Sequence, residues 1–309
     1  MREITVNKND ANQRLDKFIT KYMPRLPLGM LYKGLRKNCV RVNGKHVKDG
    51  ARVICEGDVL SLYFNDEFFE AEQTFTASRS DIDVVYEDGN IILINKSAGL
   101  VVHSDDRGTD DTLLSRMQSY LFKKGEYNPQ DEHSFAPAFC NRLDRNTSGI
   151  IIGAKNAEAL RIMNEKIKKR EVKKYYLAVC EGVTDAGGTV TSHITRGNKK
   201  VSISDTEGAK DAMLRYKRVA VKNNQSLIEV ELHTGRTHQI RAQMAHIGHP
   251  LAGDKKYGAK KGQKTQKIQL ASYKLHFDFT SDAGILNYLN NRQFEITASF
   301  AAAFATEKS

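Results

Sequence analysis

Asp144 stands in the string Asn141-Arg142-Leu143-Asp144-Arg145-Asn146-Thr147-Ser148-Gly149, an acid between two arginines and ahead of an apolar run. Neighbouring guanidinium groups favour the ionised form of a carboxyl group, so this spacing predicts a carboxylate that stays charged at neutral pH. Such a group can act as a nucleophile. It can equally be half of a structural Asp–Arg pair capping a turn, because structural ion pairs also perturb pKa values. A second dense string, His233-Thr234-Gly235-Arg236-Thr237-His238-Gln239-Ile240-Arg241, runs on towards His246, Gly248, His249 and Pro250. Imidazoles are common metal ligands, but only His238 and His246 recur near one helix face, and no acid lies among the four histidines. They are read as ordinary polar side chains or contacts to a bound partner, and no metal site is assigned.

Short elements must position these groups. Leu15, Phe18, Ile19 and Tyr22 recur at helical spacing ahead of Pro24 and Pro27. A second helix is expected over 29–37, with Met30, Leu31 and Leu35 inward and Lys33, Arg36 and Lys37 outward. Val40-Arg41-Val42, Asn43-Gly44 and Lys45-His46-Val47 read as a hairpin with a type I′ turn, and a further strand covers 59–62. Residues 65–80 turn acidic and lose periodicity, so the linker is placed there, between domains at 1–64 and 81–309. Val84-Val85-Tyr86, a turn at 87–90 and a strand at 91–94 form a second hairpin. A helix over 112–124 is expected to be capped by Asp111, Ile150-Ile151-Ile152 to form a central strand, and Asn156 to cap a helix with Leu160, Met163 and Ile167 inward. Strands follow over 175–180, 213–221, 227–232 and 293–300. Thr237 is expected to cap a short helix whose apolar stripe is Ile240, Met244 and Ile247, with Arg241 beside it. Strands without regular helical crossovers argue for an α+β fold with a mainly antiparallel sheet. With no Gly-x-Gly-x-x-Gly and no Walker-type loop, no nucleotide cofactor is indicated.

The chain has 48 Lys and Arg against 37 Asp and Glu, a formal charge of +11, which implies a polyanionic partner such as a nucleic acid. Within residues 1–63 there are 13 Lys or Arg against 6 Asp or Glu, so much of the excess is N-terminal. Cys39, Cys55, Cys140 and Cys180 lie far apart and form no Cys-x-x-Cys pair, pointing to neither a zinc site nor a disulfide framework. No apolar run approaches the roughly 20 residues of a membrane span, and the first residues lack a signal-peptide core. A cytosolic protein is expected.

The two strings together resemble the RluA family of RNA pseudouridine synthases. Its signature is His-Arg-Leu-Asp, two variable residues and Thr-Ser-Gly, followed later by Thr-Gly-Arg-Thr-His-Gln-Ile-Arg, Ala-His-Ile-Gly-His-Pro and Gly-Asp. These are matched by 141–149, 234–241, 245–250 and Gly253-Asp254; Asn141 replaces the usual His, and Ser97 replaces the Pro of Asn-Lys-Pro-Ala-Gly. The N-terminal helices and hairpin resemble the S-four-like RNA-binding module. The resemblance implies the pseudouridine synthase fold and conversion of uridine to pseudouridine with no cofactor. Asp144 would be the catalytic carboxylate, nucleophile or base, through either a covalent ribose adduct or a glycal. Arg241 would pair with it, Arg142 would fill the space left by the flipped uridine, and Tyr176 in Lys174-Tyr175-Tyr176 would stack on the base. Ile240 either lines the uracil pocket or packs the helix.

RNA contacts are expected from Arg14, Lys17, Lys33, Arg36, Lys37, Arg41 and Lys174, and from the lysine-rich stretches 166–174 and 255–267. Both stretches can also be solvated surface. Two rivals stay open: a non-catalytic RNA-binding factor, and a glycosidase, for which only Asp254 offers the second carboxylate. Relatives of this layout point to large-subunit ribosomal RNA before transfer RNA as partner, and a monomer is the default.

Overall fold

The computed structural model describes residues 1–69, 79–104, 109–197, 201–203, 208–259 and 267–304. Most of the expected linker (70–78) and the middle of the second lysine-rich stretch (260–266) lie outside the described residues.

Residues 1–69 build a core of their own. Leu15, Phe18 and Ile19 bury one face of α1 (Leu15–Tyr22), and Leu31 and Leu35 of α2 (Leu28–Arg36) close on it. Both pack on a four-stranded antiparallel sheet ordered Arg2–Thr5, Val59–Leu62, Val40–Val42, Lys45–His46. Asn43 and Gly44 have φ of 51° and 75°, the paired positive values that a type I′ hairpin requires.

Beyond residue 78, eleven described strands join in one sheet. Its main path runs Val201–Ile203, Gly187–Arg196, Lys210–Lys222, Gln225–Leu232, Val172–Glu181, Leu270–Phe277, Ser148–Ala154, Ile91–Lys96, Val84–Glu87. Only Ser148–Ala154 against Leu270–Phe277 is parallel, so the α+β, mainly antiparallel expectation holds. Successive side chains of a strand face opposite sides. Accordingly Ile150 and Ile152 join one core with Met163 of α4 (Ala157–Lys168). Ile151 joins the other core with Met117 of α3 (Leu113–Lys123) and Met244 of α5 (Gln239–His246).

The details differ in three places. Thr112, not Asp111, caps α3, accepting from Ser115 N–H at 3.0 Å while Ser115 Oγ accepts from Thr112 N–H. Asp111 instead takes the Arg116 guanidinium at 2.7 Å. His238, not Thr237, holds the cap position of α5, in a left-handed conformation without a side-chain cap. The strand expected over 293–300 covers only Gln293–Glu295, because its partner strand pairs through Lys274 to His276 alone; a 3-10 turn, Ser299–Phe304, follows. Asn156 caps α4 as expected, accepting from Ala159 N–H at 2.8 Å.

Candidate active site

The Asp144 string and the 233–241 string meet in a cavity of about 540 Å³, within the ~300–1,000 Å³ typical of small-ligand sites. Asp144 enters it from a tight turn in which Thr147 N–H donates to the Asp144 carbonyl at 3.1 Å. That turn is tied down by Lys96, wholly buried, whose ammonium donates to the carbonyls of Ser97, Leu100 and Arg145 at 3.0, 2.8 and 3.0 Å. All three of its protons are used. Burial pushes its pKa down to about 8, against the pull of Asp144. Asn141 turns away from any imidazole-like role: its Oδ1 accepts from Ile152 N–H at 2.9 Å, while its Nδ2 is buried without a partner.

The opposite wall is α5. Gln239 folds the preceding loop by accepting from Thr234 Oγ1 at 2.8 Å and Arg236 N–H at 3.0 Å and donating to the Met213 carbonyl at 3.1 Å. This sets Arg241 in the first turn of the helix, facing Asp144. The expected pairing takes an unexpected form. Arg241 clasps Asp254 through Nε at 2.6 Å and Nη2 at 2.9 Å, and its remaining Nη1 lies 3.7 Å from Asp144 Oδ2. Asp254 is 1% exposed and cannot leave its partner without stranding a buried charge. Burial opposes charge on Arg241, but the Asp254 hydrogen bonds and both nearby carboxylates outweigh it and raise its pKa. Asp254 is thereby an anchor for Arg241 and not a second carboxylate in the cavity that Asp144 lines.

Tyr176 also lines the cavity, buried in the apolar cluster that holds Leu143 and Ile240; burial pushes its phenol pKa up. Tyr175 takes the other side of the strand, its ring 4.5 Å from Lys274 Nζ. Arg142 and Lys174 border the same cavity, Arg142 exposed and Lys174 half-buried with its pKa lowered by burial. Arg142, Asp144, Lys174, Tyr176, Ile240 and Arg241 are therefore brought together.

The N-terminal cations are not at this cavity. Lys17, Lys33, Arg36 and Lys37 are exposed on α1, α2 and the turn after them, Arg14 is paired with Asp16 at 2.6 Å, and Arg41 lies over the Tyr63 ring at 5.4 Å. In the 166–174 run, Lys166 is buried against Glu171 at 2.8 Å and offers no surface charge. Two neighbours of Asp144 were given no part in its chemistry by the sequence. His238 Nε2 lies 3.9 Å from Asp144 Oδ2, and its Nδ1 lies 3.0 Å from the Tyr257 hydroxyl. The Gly-Asp pair at 253–254 was a signal for the Arg241 anchor, whereas nothing local marked Tyr257. Among the described residues no three His, Cys, Asp or Glu side chains converge as a metal site would require.

A carboxylate beside a buried guanidinium, over an apolar floor bearing a tyrosine, can attack or deprotonate a sugar held in the cavity. Comparisons with known proteins point the same way. The family model described as RNA pseudouridylate synthase matches residues 90–246. An uncharacterized RNA pseudouridine synthase of Mycoplasma capricolum is 32% identical over 94% of this chain and 96% of its own. The ribosomal large subunit pseudouridine synthase D of Escherichia coli is 34% identical over 83% of this chain and 76% of its own. In fold, the chain is similar to human RNA pseudouridylate synthase domain containing 4, with TM-score 0.56 and 18% identity over 71% of this chain and 90% of that one.

Proposed function

The chain belongs to the RNA pseudouridylate synthase family and is an isomerase acting on uridine in RNA, and on that premise we propose that Asp144 is its catalytic carboxylate and large-subunit ribosomal RNA its substrate. The observation that carries the reading is the Asp144 carboxylate in a 540 Å³ cavity, 3.7 Å from the Arg241 guanidinium that Asp254 holds in place. Isomerisation breaks the N1–C1′ bond, rotates the uracil and closes C5 onto C1′, with C5 losing its proton and N1 gaining one. A carboxylate serves this as nucleophile at C1′ or as base at C2′, with no cofactor. The target base must leave its stack, at a cost of a few kcal/mol. Arg142, exposed at the rim, fills the space it vacates; Tyr176 stacks on the base, an interaction worth about 1–3 kcal/mol; Ile240 lines its pocket.

The ribosomal assignment is supported by the Escherichia coli relative's name and by the basic N-terminal unit, read as an S-four-like domain that grips structured RNA. The enzyme would then act as a cytosolic monomer. Asp144→Asn should abolish pseudouridine formation in a ribosomal RNA transcript while the transcript still binds with about the same affinity. Turnover by that variant would sink the assignment of Asp144. Mapping pseudouridines in total RNA with and without the gene identifies the target, and a change confined to transfer RNA would overturn the ribosomal reading.

A further inference from the structure

His238 has φ 53° and ψ 21°, left-handed values that a non-glycine residue adopts at a cost of about 1–3 kcal/mol. Capping does not explain the strain, since the side chain makes no cap hydrogen bond. What the conformation achieves is to turn the imidazole between Tyr257 and Asp144. The two rings meet edge to face, their centroids 5.7 Å apart.

The hydrogen-bond partners favour one tautomer. Val201 N–H already donates to the Tyr257 oxygen at 3.1 Å, and the phenol's single O–H has an acceptor in His238 Nδ1, 3.0 Å away. An imidazole that accepts at Nδ1 carries its proton on Nε2. Nε2 is the atom that faces Asp144, and an N–H towards a carboxylate is favourable where a lone pair is not. Both ends of the ring therefore select the same tautomer. Among the described residues, the groups facing the ring are Asp144, Arg241, Asp254, Lys256 and Tyr257. Burial first, then Arg241 and Lys256, depress the imidazole pKa below its ordinary 6.5 against the pull of Asp144 and Asp254. Arg241 Nη1 and His238 Nε2 make their closest approach to Asp144 at the same oxygen, Oδ2, at 3.7 and 3.9 Å.

We propose that His238 is a positioning residue: its Nε2–H, set by Tyr257, closes on Asp144 Oδ2 beside Arg241 and leaves Oδ1 to meet the ribose. The inference rests on Asp144 being the reacting carboxylate. The 3.9 Å separation is longer than a hydrogen bond, and such contacts tighten when substrate fills the site. His238 neither takes nor gives up a proton in the reaction.

The tautomer is read on the unmodified full chain by nitrogen NMR of labelled histidine, which should show His238 neutral and protonated at Nε2 from about pH 6.5 to 8. In Tyr257→Phe the tautomers should redistribute. A protonated Nδ1 or an imidazolium in the unmodified protein overturns the proposal whether or not any variant folds. With a ribosomal RNA transcript, His238→Phe should lower kcat about a hundredfold, the size of effect a misplaced reacting group produces, with KM nearly unchanged. His238→Gln, whose amide N–H replaces Nε2–H, should restore part of that loss. The double variant His238→Phe with Tyr257→Phe should be no slower than His238→Phe alone, because both act through one contact. An unchanged kcat in His238→Phe, or losses that add in the double variant, overturns the proposal. Failure of the Asp144 reading shows separately, as turnover by Asp144→Asn.

Discussion

Lys166 lies in a run with six lysines or arginines between 166 and 174, yet its ammonium sits inside the molecule. It contacts Glu171 Oε2 at 2.8 Å, the Ser281 carbonyl at 2.5 Å and Ser281 Oγ at 2.8 Å, while Thr280 donates to Glu171 Oε1 at 2.7 Å. Lys166 is the main cause that takes the Glu171 carboxyl from its ordinary 4.5 down to about 2. A depressed carboxylate pKa adds stability above the unfolded value and loses it as pH falls through the folded one. Urea unfolding should therefore show this contribution intact at pH 6 and fading between about pH 4.5 and 2. Lys166→Met strands the buried carboxylate and should cost roughly 3–5 kcal/mol. Lys166→Met with Glu171→Gln should recover much of that loss, and equal losses in the two variants would refute the pair as the cause. The sequence showed a cation run but not this burial, because the enclosing groups come from residues 280 and 281, more than a hundred positions on.

At the scale of elements, legibility followed the range of the contacts. The run Ile150-Ile151-Ile152 sends its side chains into two cores, and Asn156 begins α4, both as local pattern predicts. Gly187–Arg196 escaped notice because Val190 and Ile194 are its only apolar residues turned into a core. The left-handed turn at His238 brings its ring to Tyr257, nineteen residues later. Gly149 shows the reverse case, a motif residue whose reason only the structure supplies. It follows the Asp144 turn at the parallel crossing of two strands, with φ +114°, and a Cβ there would lie 2.2 Å from the Ser272 carbonyl oxygen and 2.6 Å from Ser272 N. Backbone cannot yield as a side chain would. Gly149→Ala combines an unfavourable φ with this clash and should cost about 2 kcal/mol or more, read as a fall in Tm together with lost turnover. A variant with unchanged Tm would show that the crossing relaxes freely.

Across the whole molecule, a polar seam joins the N-terminal unit to the large sheet's unit. Asn7 donates to the Asp131 carbonyl at 3.0 Å, Asn9 to Glu132 Oε1 at 2.6 Å and Gln13 to Ser134 Oγ at 2.8 Å, while Asn9 Oδ1 accepts from Ala157 N–H at the start of α4 at 3.1 Å. Seams of this polar kind permit relative motion more readily than apolar ones, which would suit the N-terminal unit if it grips folded RNA as proposed. Its exposed cations at Lys33, Arg36 and Lys37 lie at the end of α2 and just beyond, away from the cavity of Asp144. The division of labour is then testable through salt. Each phosphate neutralised by a cation releases counterions, so the logarithm of affinity falls with the logarithm of salt concentration by about 0.7 to 0.9 per contact. Replacing Arg36 and Lys37 by Glu removes two contacts and adds repulsion. Binding of a ribosomal RNA transcript should weaken, and the salt dependence should become shallower by roughly 1.5. Both residues are exposed, so the fold should survive and the unfolding midpoint serves as the control. If affinity and slope stay as in the parent chain, this face of the N-terminal unit does not hold RNA, and the grip belongs to cations around the cavity such as Arg142 and Lys174.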